Sequence, residues 1–355
     1  SSLVVGTAGV LNNSYPEHAV PSDARSNASK PSTHSMPSHR SAAASLLAVW
    51  LCLGVALLGV GAAPPAPPRP SSRCQRECGG VDIPYPFGIV GPGPESPDPD
   101  NCAMPGFGLT CNETGVNGGR TPFYYDLEVV DVSLQQGQAR MKMSISTYCY
   151  NNATQGMDPV PWGLDLTGTP YRFADTNKFT VIGCQTLAYI LGERAEEYTS
   201  GCVAMCQRGG DGDVRSALSN GSCSGIGCCQ TAIPRGLDYY RVSFDSGFNT
   251  AEIHDVSPCS YAVLMDVSNF TFQTSYATLP GFNTTYGGVA PLVVDWVVGN
   301  QTCDAARKNS SSYACVSDHS ECLDSLNGPG YICNCSKGFQ GNPYLQDPEH
   351  GCKGT

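Results

Sequence analysis

Charge is scarce in this chain: Asp, Glu, Lys and Arg together make up 14% of 355 residues, and acids outnumber bases by 31 to 20. A formal charge of -11 leaves no clustered basic face, which excludes nucleic acid as a partner. Histidine is sparse too, and of the six only His254, His319 and His350 lie beyond residue 64. No G-x-S-x-G elbow or H-E-x-x-H helix occurs, and no glycine-rich loop is followed by V-A-I-K, H-R-D or D-F-G. Acid pairs such as Asp211/Asp213 and Glu196/Glu197 read as solvated loop charge, because glycoside hydrolysis needs carboxylates at a fixed separation. These absences argue against an enzyme. Helical periodicity is also nearly missing, with residues 186–198 the one passable helix.

Glycine, proline and cysteine are abundant, at 40, 27 and 19 residues. Low charge with that composition points to a stapled, loop-rich secreted protein. The run from 42 to 63 carries no charged residue, follows His39 and Arg40, and ends in Gly61, Ala62 and Ala63. With Met36 opening MPSHRSAAASLL, residues 36–63 have the layout of a signal peptide cleaved near 62–66. A membrane anchor is the alternative, since an apolar run from 42 to 63 is also long enough to span a bilayer. Cleavage removes Cys52 and leaves 18 of the 19 cysteines, an even number that can all pair. Residues 1–35 are Ser-rich and without periodicity, a disordered or non-native leader. Residues 64–73 read as a stiff polyproline spacer.

The fold class expected downstream is mostly β: disulfide-rich, short-stranded β domains followed by a small module. Phe123, Tyr125, Leu127 and Val129 alternate, and Met141, Met143 and Ile145 alternate again after a polar turn containing Gly137. Further strands are expected at 179–183, 239–244, 261–267 and 292–298. Eight Asn-x-Ser/Thr sequons follow the apolar run, at Asn112, Asn152, Asn220, Asn269, Asn283, Asn300, Asn309 and Asn334, several of them expected to carry glycan.

The last six cysteines are Cys303, Cys315, Cys322, Cys333, Cys335 and Cys352, with short gaps before a C-x-C pair and a long gap after it. That spacing resembles an EGF-like module, and disulfides there would replace a core the segment is too small to build. Zinc is disfavoured because paired C-x-x-C units are missing. Upstream, the body opens with Cys74-Gln-Arg-Glu-Cys78-Gly-Gly-Val-Asp-Ile83-Pro-Tyr-Pro-Phe-Gly88, then Cys102 and Phe107-Gly-Leu-Thr-Cys111. This resembles the galacturonan-binding domain of plant wall-associated receptor kinases. Val181-Ile-Gly-Cys184, Cys223-Ser-Gly-Ile-Gly-Cys228-Cys229, Pro258-Cys259 and Gly341-Asn-Pro-Tyr344 resemble later parts of the same ectodomain.

The resemblance covers residues 74–352. It divides the chain into a galacturonan-binding-like domain (74–165), a second cysteine-rich β region (166–299) and an EGF-like module (300–355). It implies the pairs Cys303–Cys322, Cys315–Cys333 and Cys335–Cys352, and leaves the twelve cysteines of 74–259 open. It also implies a plant cell-wall protein that binds pectin or oligogalacturonide without catalysis. A protein-interaction ectodomain that pairs with receptor ectodomains is the alternative. The family continues into a second, calcium-binding EGF-like module, a membrane helix and a kinase, whereas this sequence stops at Lys353-Gly-Thr355. It is read as a secreted ectodomain or a truncated receptor.

Uronate carboxylates suit arginine forks and lysine charges, which makes Arg73, Arg76, Arg140 and Lys142 candidate ligand contacts. Tyr85 and Phe87 offer faces for apolar sugar C–H surfaces, or else anchor a small core. De-esterified polygalacturonate is therefore expected to bind the 74–259 body rather than the EGF-like module. Calcium could bridge the acidic partners as an exchangeable ion, and no resident cofactor or metal is expected. In the EGF-like module Val298 stands where an oxygen ligand is wanted, and Asp324 is one carboxylate where calcium takes six to eight oxygens.

Overall fold

The period-two pattern from residue 123 onward becomes sheet, but its phase changes once. In the computed structural model, which describes residues 9–10, 70–114, 118–192, 199–207, 213, 218–278 and 280–355, Gly119–Tyr124 and Leu127–Ser133 are consecutive antiparallel strands. Tyr125 sits in the turn between them at φ 50°. That turn makes Tyr124 the inward residue, leaving Phe123 and Tyr125 half-buried, while Leu127 and Val129 stay inside as expected. Leu127–Ser133 then pairs with Gln138–Ser144, which buries Met141 and Met143. Gly137 closes this hairpin at φ 63°, a left-handed conformation that glycine adopts without steric cost.

Seven strands form the largest sheet, in the order Tyr171–Phe173, Val289–Trp296, Gln138–Ser144, Leu127–Ser133, Gly119–Tyr124, Gly108–Thr114 and Gly88–Ile89. A five-stranded sheet joins Gly156–Val160, Ser146–Asn151, Cys259–Asp266, Asn177–Ile182 and Cys228–Ala232. The other five-stranded sheet joins Gly163–Asp165, Tyr239–Phe244, Thr186–Leu191 and Thr199–Ala204, with Gly9–Val10 at its edge. Mostly β is therefore the fold class. The expected helix at 186–198 is instead the strand Thr186–Leu191, with residues 193–198 outside the described ones. Thr186, Ala188 and Ile190 are each fully buried there, an alternation that fits a strand and not a helical period.

The expected boundary at 165/166 does not separate sheets. Tyr171–Phe173 and Val289–Trp296 complete the sheet begun by the first region, while Ser146–Asn151 and Gly163–Asp165 enter sheets built mainly from the second. The signal segment 36–63, the leader apart from Gly9–Val10, and residues 64–69 of the spacer lie outside the described residues. The end of the spacer is tied down, since the Ser71 amide donates to the Asp100 carbonyl at 2.9 Å.

All eighteen described cysteines are disulfide-bonded. Cys303–Cys322, Cys315–Cys333 and Cys335–Cys352 staple the C-terminal module. Upstream, Cys74–Cys102 and Cys78–Cys111 cross-link the start of the body, and Cys149–Cys259 joins two neighbouring strands at opposed positions. Cys184–Cys206, Cys202–Cys229 and Cys223–Cys228 hold the remaining loops.

The module after residue 298 is not a bead on a linker. Val289–Trp296 runs straight into it, and Val298 exchanges backbone hydrogen bonds with Tyr331. Asn327, 8% exposed, donates to the Phe173 carbonyl and the Asp295 carboxylate and accepts from the Gly236 amide. Asn342 donates to the Tyr85 carbonyl at 2.6 Å, and Tyr344 packs on Trp296 with ring centroids 5.9 Å apart.

Candidate functional site

The segment Ile83-Pro-Tyr-Pro-Phe-Gly88 folds tightly because two prolines fix φ and the Phe87 amide returns to the Pro84 carbonyl at 2.9 Å. Gly88 allows close approach to the Cys102 backbone, into which a Cβ would clash. This turn buries both of its aromatic rings, Tyr85 to 6% exposure and Phe87 completely. Phe87 is fully buried, edge-on to Phe107 at 5.1 Å and to Trp296 at 5.4 Å. It is a core anchor that no ligand reaches. Tyr85 instead lines a cleft of about 890 Å³, within the usual size range of ligand sites.

One side of this cleft comes from the start of the body, with Tyr85, Tyr124, Tyr125, Glu95 and Asp98. The other comes from the EGF-like module, with Ser312, Tyr313, Tyr344 and Leu345. Tyr125 donates to Glu95 Oε1 at 3.0 Å, and partial burial with that bond pushes its phenol up to about 12. Burial also raises the Tyr85 phenol, opposed by the nearby Arg76 charge. Tyr344 is steadied by the Cys333 amide, which donates to its hydroxyl at 2.7 Å. The cleft thus combines aromatic surfaces, hydroxyls and carboxylates, and no Lys or Arg is among its lining residues.

The four candidate cations do not gather in it. Arg73 pairs with Asp100 at 2.8 Å, Arg140 with Asp266 at 2.7 Å and Lys142 with Glu128 at 2.7 Å. Arg76 is half-buried and donates to the Phe87 and Cys102 carbonyls, and desolvation lowers its pKa. Lys142 lines a second, smaller depression of about 420 Å³ with Trp162, Phe123 and Glu128. Trp162, Tyr124, Tyr313 and Tyr344 escaped the sequence reading as ligand contacts. Tyr313 and Tyr344 stood within family motifs, but nothing in the sequence tells that residues 85 and 344 line one cleft.

None of the three described histidines lines the cleft. His254 stacks on Tyr150, His319 stacks on Phe339, and His350 pairs with Asp347. Asp324 Oδ1 accepts the Cys303 amide at 2.6 Å, a structural role. Among the described residues no group of three or more His, Cys, Asp or Glu could hold a metal ion. Glu196, Glu197 and Asp211 lie outside the described residues. Seven of the eight sequon asparagines are exposed, whereas Asn334 is half-buried and uses its amide nitrogen on the Gln135 carbonyl at 3.2 Å. The described residues include no helix long and apolar enough to cross a membrane.

Among the described residues, the stapled strands and the cleft between the cysteine-rich body and the C-terminal module define a disulfide-rich, mostly β protein. Residues 74–143 match the family model described as wall-associated receptor kinase galacturonan-binding. The chain is 34% identical over 288 residues to wall-associated receptor kinase 2 of Arabidopsis thaliana, covering 80% of this chain and 35% of that protein. It is 31% identical to wall-associated receptor kinase 1 of the same plant, over 78% of this chain and 34% of that protein. For wall-associated receptor kinase 5 the identity is 32%, over 80% and 35%. The chain thus spans about a third of the length of these relatives, at 34–35%. No solved structure matches it.

Proposed function

We propose that this chain is an extracellular, non-catalytic module that binds pectin-type polysaccharide in the plant cell wall. One observation carries the reading: the segment matched as galacturonan-binding supplies one side of the cleft of about 890 Å³. Tyrosine faces suit the apolar faces of sugar rings, and hydroxyls and carboxylates suit their hydroxyls. Nine disulfides fit an oxidising compartment. Capture of free uronate through the candidates Arg73, Arg140 or Lys142 requires that cation to leave its carboxylate, and calcium bridging is the alternative. A second reading, a receptor partner on the EGF-like module, is favoured by Leu326 at 81% exposure and Leu323 at 41%.

Retention of the full chain on immobilised pectin, both de-esterified and methyl-esterified, tests the proposal against cellulose and dextran controls. Retention on at least one pectin and on neither control is the expected result. Loss of both pectin signals, with and without calcium, overturns it and puts the receptor-partner reading first.

A further inference from the structure

We infer that the outer face of the sheet containing Thr186–Leu191 is an interface between two copies of this chain. Tyr239–Phe244, Thr186–Leu191 and Thr199–Ala204 lie side by side there, with Gly163–Asp165 next to the first. Alternation divides their side chains between two faces. Ala188, Ile190, Ala204 and Val242 are buried on the inner one. The outer one carries Leu187, Tyr189, Leu191, Val203 and Arg241, all half-buried or exposed. Val203 is 40% exposed, and the bridged pair Met205 and Ile226 continues the apolar surface beyond it at 39% and 44%. Gly201 stands opposite Tyr189, and its missing side chain lets the ring lie over it, which keeps the face flat. A flat face with contiguous apolar groups marks an interaction surface and suits packing of sheet on sheet.

Charge identifies the partner as a second copy. The whole chain carries -11, so two copies repel over most of their surfaces. These four strands hold only two charged residues, Asp165 and Arg241, of opposite sign, and none of the eight sequons. Two acidic chains therefore approach most easily here. Arg241 stands opposite Gly163 and Tyr239 opposite Asp165, which sets the two charges diagonally on one face. They do not pair with each other. Among the described residues the Arg241 side chain has no ion pair or hydrogen bond, and Asp165 spends one oxygen on the Thr167 amide at 2.9 Å. In a two-fold dimer every contact occurs twice, so Arg241 of one copy meeting Asp165 of the other makes two ion pairs. Leu187, Leu191 and Val203 close the apolar contact beside them. Three strands about 4.8 Å apart and six residues long give a patch of about 15 by 20 Å. That is small for a permanent interface, so the dimer is a weak one, with a Kd of about 10–100 µM.

Sedimentation equilibrium of the full chain over a concentration series tests this without any pectin, so its outcome leaves the polysaccharide reading untouched. A reversible monomer–dimer equilibrium is the expected result. Arg241→Asp alone and Asp165→Arg alone each set like charges against each other and should weaken the dimer at least ten-fold. The double variant carrying both swaps restores opposite charges and should return to within three-fold of wild type. Val203→Lys, at an exposed position where a lysine leaves the fold intact, should weaken the dimer at least ten-fold and keeps the test open if a charge swap fails to fold. A monomer mass at every concentration up to about 500 µM overturns the inference. So does a dimer that the folded single variants change less than two-fold, or a folded double variant no tighter than the single ones.

Discussion

Replacing Asn327 by alanine should release the EGF-like module from the β body without breaking any of its disulfides. The wild-type side chain makes three hydrogen bonds across the junction, to the Phe173 carbonyl at 3.0 Å, Asp295 Oδ2 at 2.6 Å and the Gly236 amide at 2.6 Å. A neutral hydrogen bond contributes about 0.5–1.5 kcal/mol net, and one to a charged group about 1.5–3 kcal/mol. Gly236 is exposed, so water replaces its lost acceptor, whereas the Phe173 carbonyl bond is buried and the carbonyl loses its donor. The expected destabilisation is therefore about 2–4 kcal/mol. Asn327→Asp should cost more than alanine, because it trades the donor for a second negative charge beside Asp295. Guanidinium denaturation under non-reducing conditions gives the loss, and hydrogen exchange at the Val298 and Tyr331 amides locates it. Both variants falling within about 0.5 kcal/mol of wild type, the range of an ordinary surface substitution, with those amides still protected, would refute the docking argument.

Three further outcomes follow from the same structure. Phe87→Ala removes a fully buried ring from the Phe107–Trp296 cluster and should cost about 3–5 kcal/mol in chemical denaturation; a loss under about 1 kcal/mol contradicts its placement in the core. Tyr124, Tyr171, Tyr240 and Tyr344 are held protonated above the ordinary phenol value of 10.0 by burial, and Tyr125 and Tyr261 up to about 12. Above pH 10 the unfolded chain releases phenol protons that the folded chain keeps, so the melting temperature should hold to about pH 10 and fall from there through pH 12; an unchanged value at about pH 11.5 contradicts this. Asn334→Gln should remove no glycan from the secreted chain, since the Asn334 amide nitrogen donates to the Gln135 carbonyl, and loss of a glycan mass by intact mass spectrometry would contradict that.

Strands were legible wherever one face is buried, as at Tyr239–Phe244, because period-two alternation is a local property. The same logic failed at residues 123–125, where one turn residue at positive φ reverses the phase without altering composition. It failed again at 186–191, where a short apolar alternation passed for a helix. The sheets cross the 165/166 boundary because the strands closing the first sheet arrive from residues 171 and 289, a non-local pairing that local patterning does not show. The candidate site divided similarly. Tyr85 was legible as a ring in a family motif, yet its neighbour Phe87, two positions on, goes to the core. The cations looked available in sequence because ion pairs such as Arg140 with Asp266 join residues 126 positions apart.

Hydrogen exchange of the full chain with and without a pectin oligomer tests the central claim most directly. If the glycan sits in the cleft, protection should rise together in peptides covering 85–108, 124–125 and 311–346. Protection confined to the depression around Lys142 and Trp162, or absent from the EGF-like segment, would contradict the account.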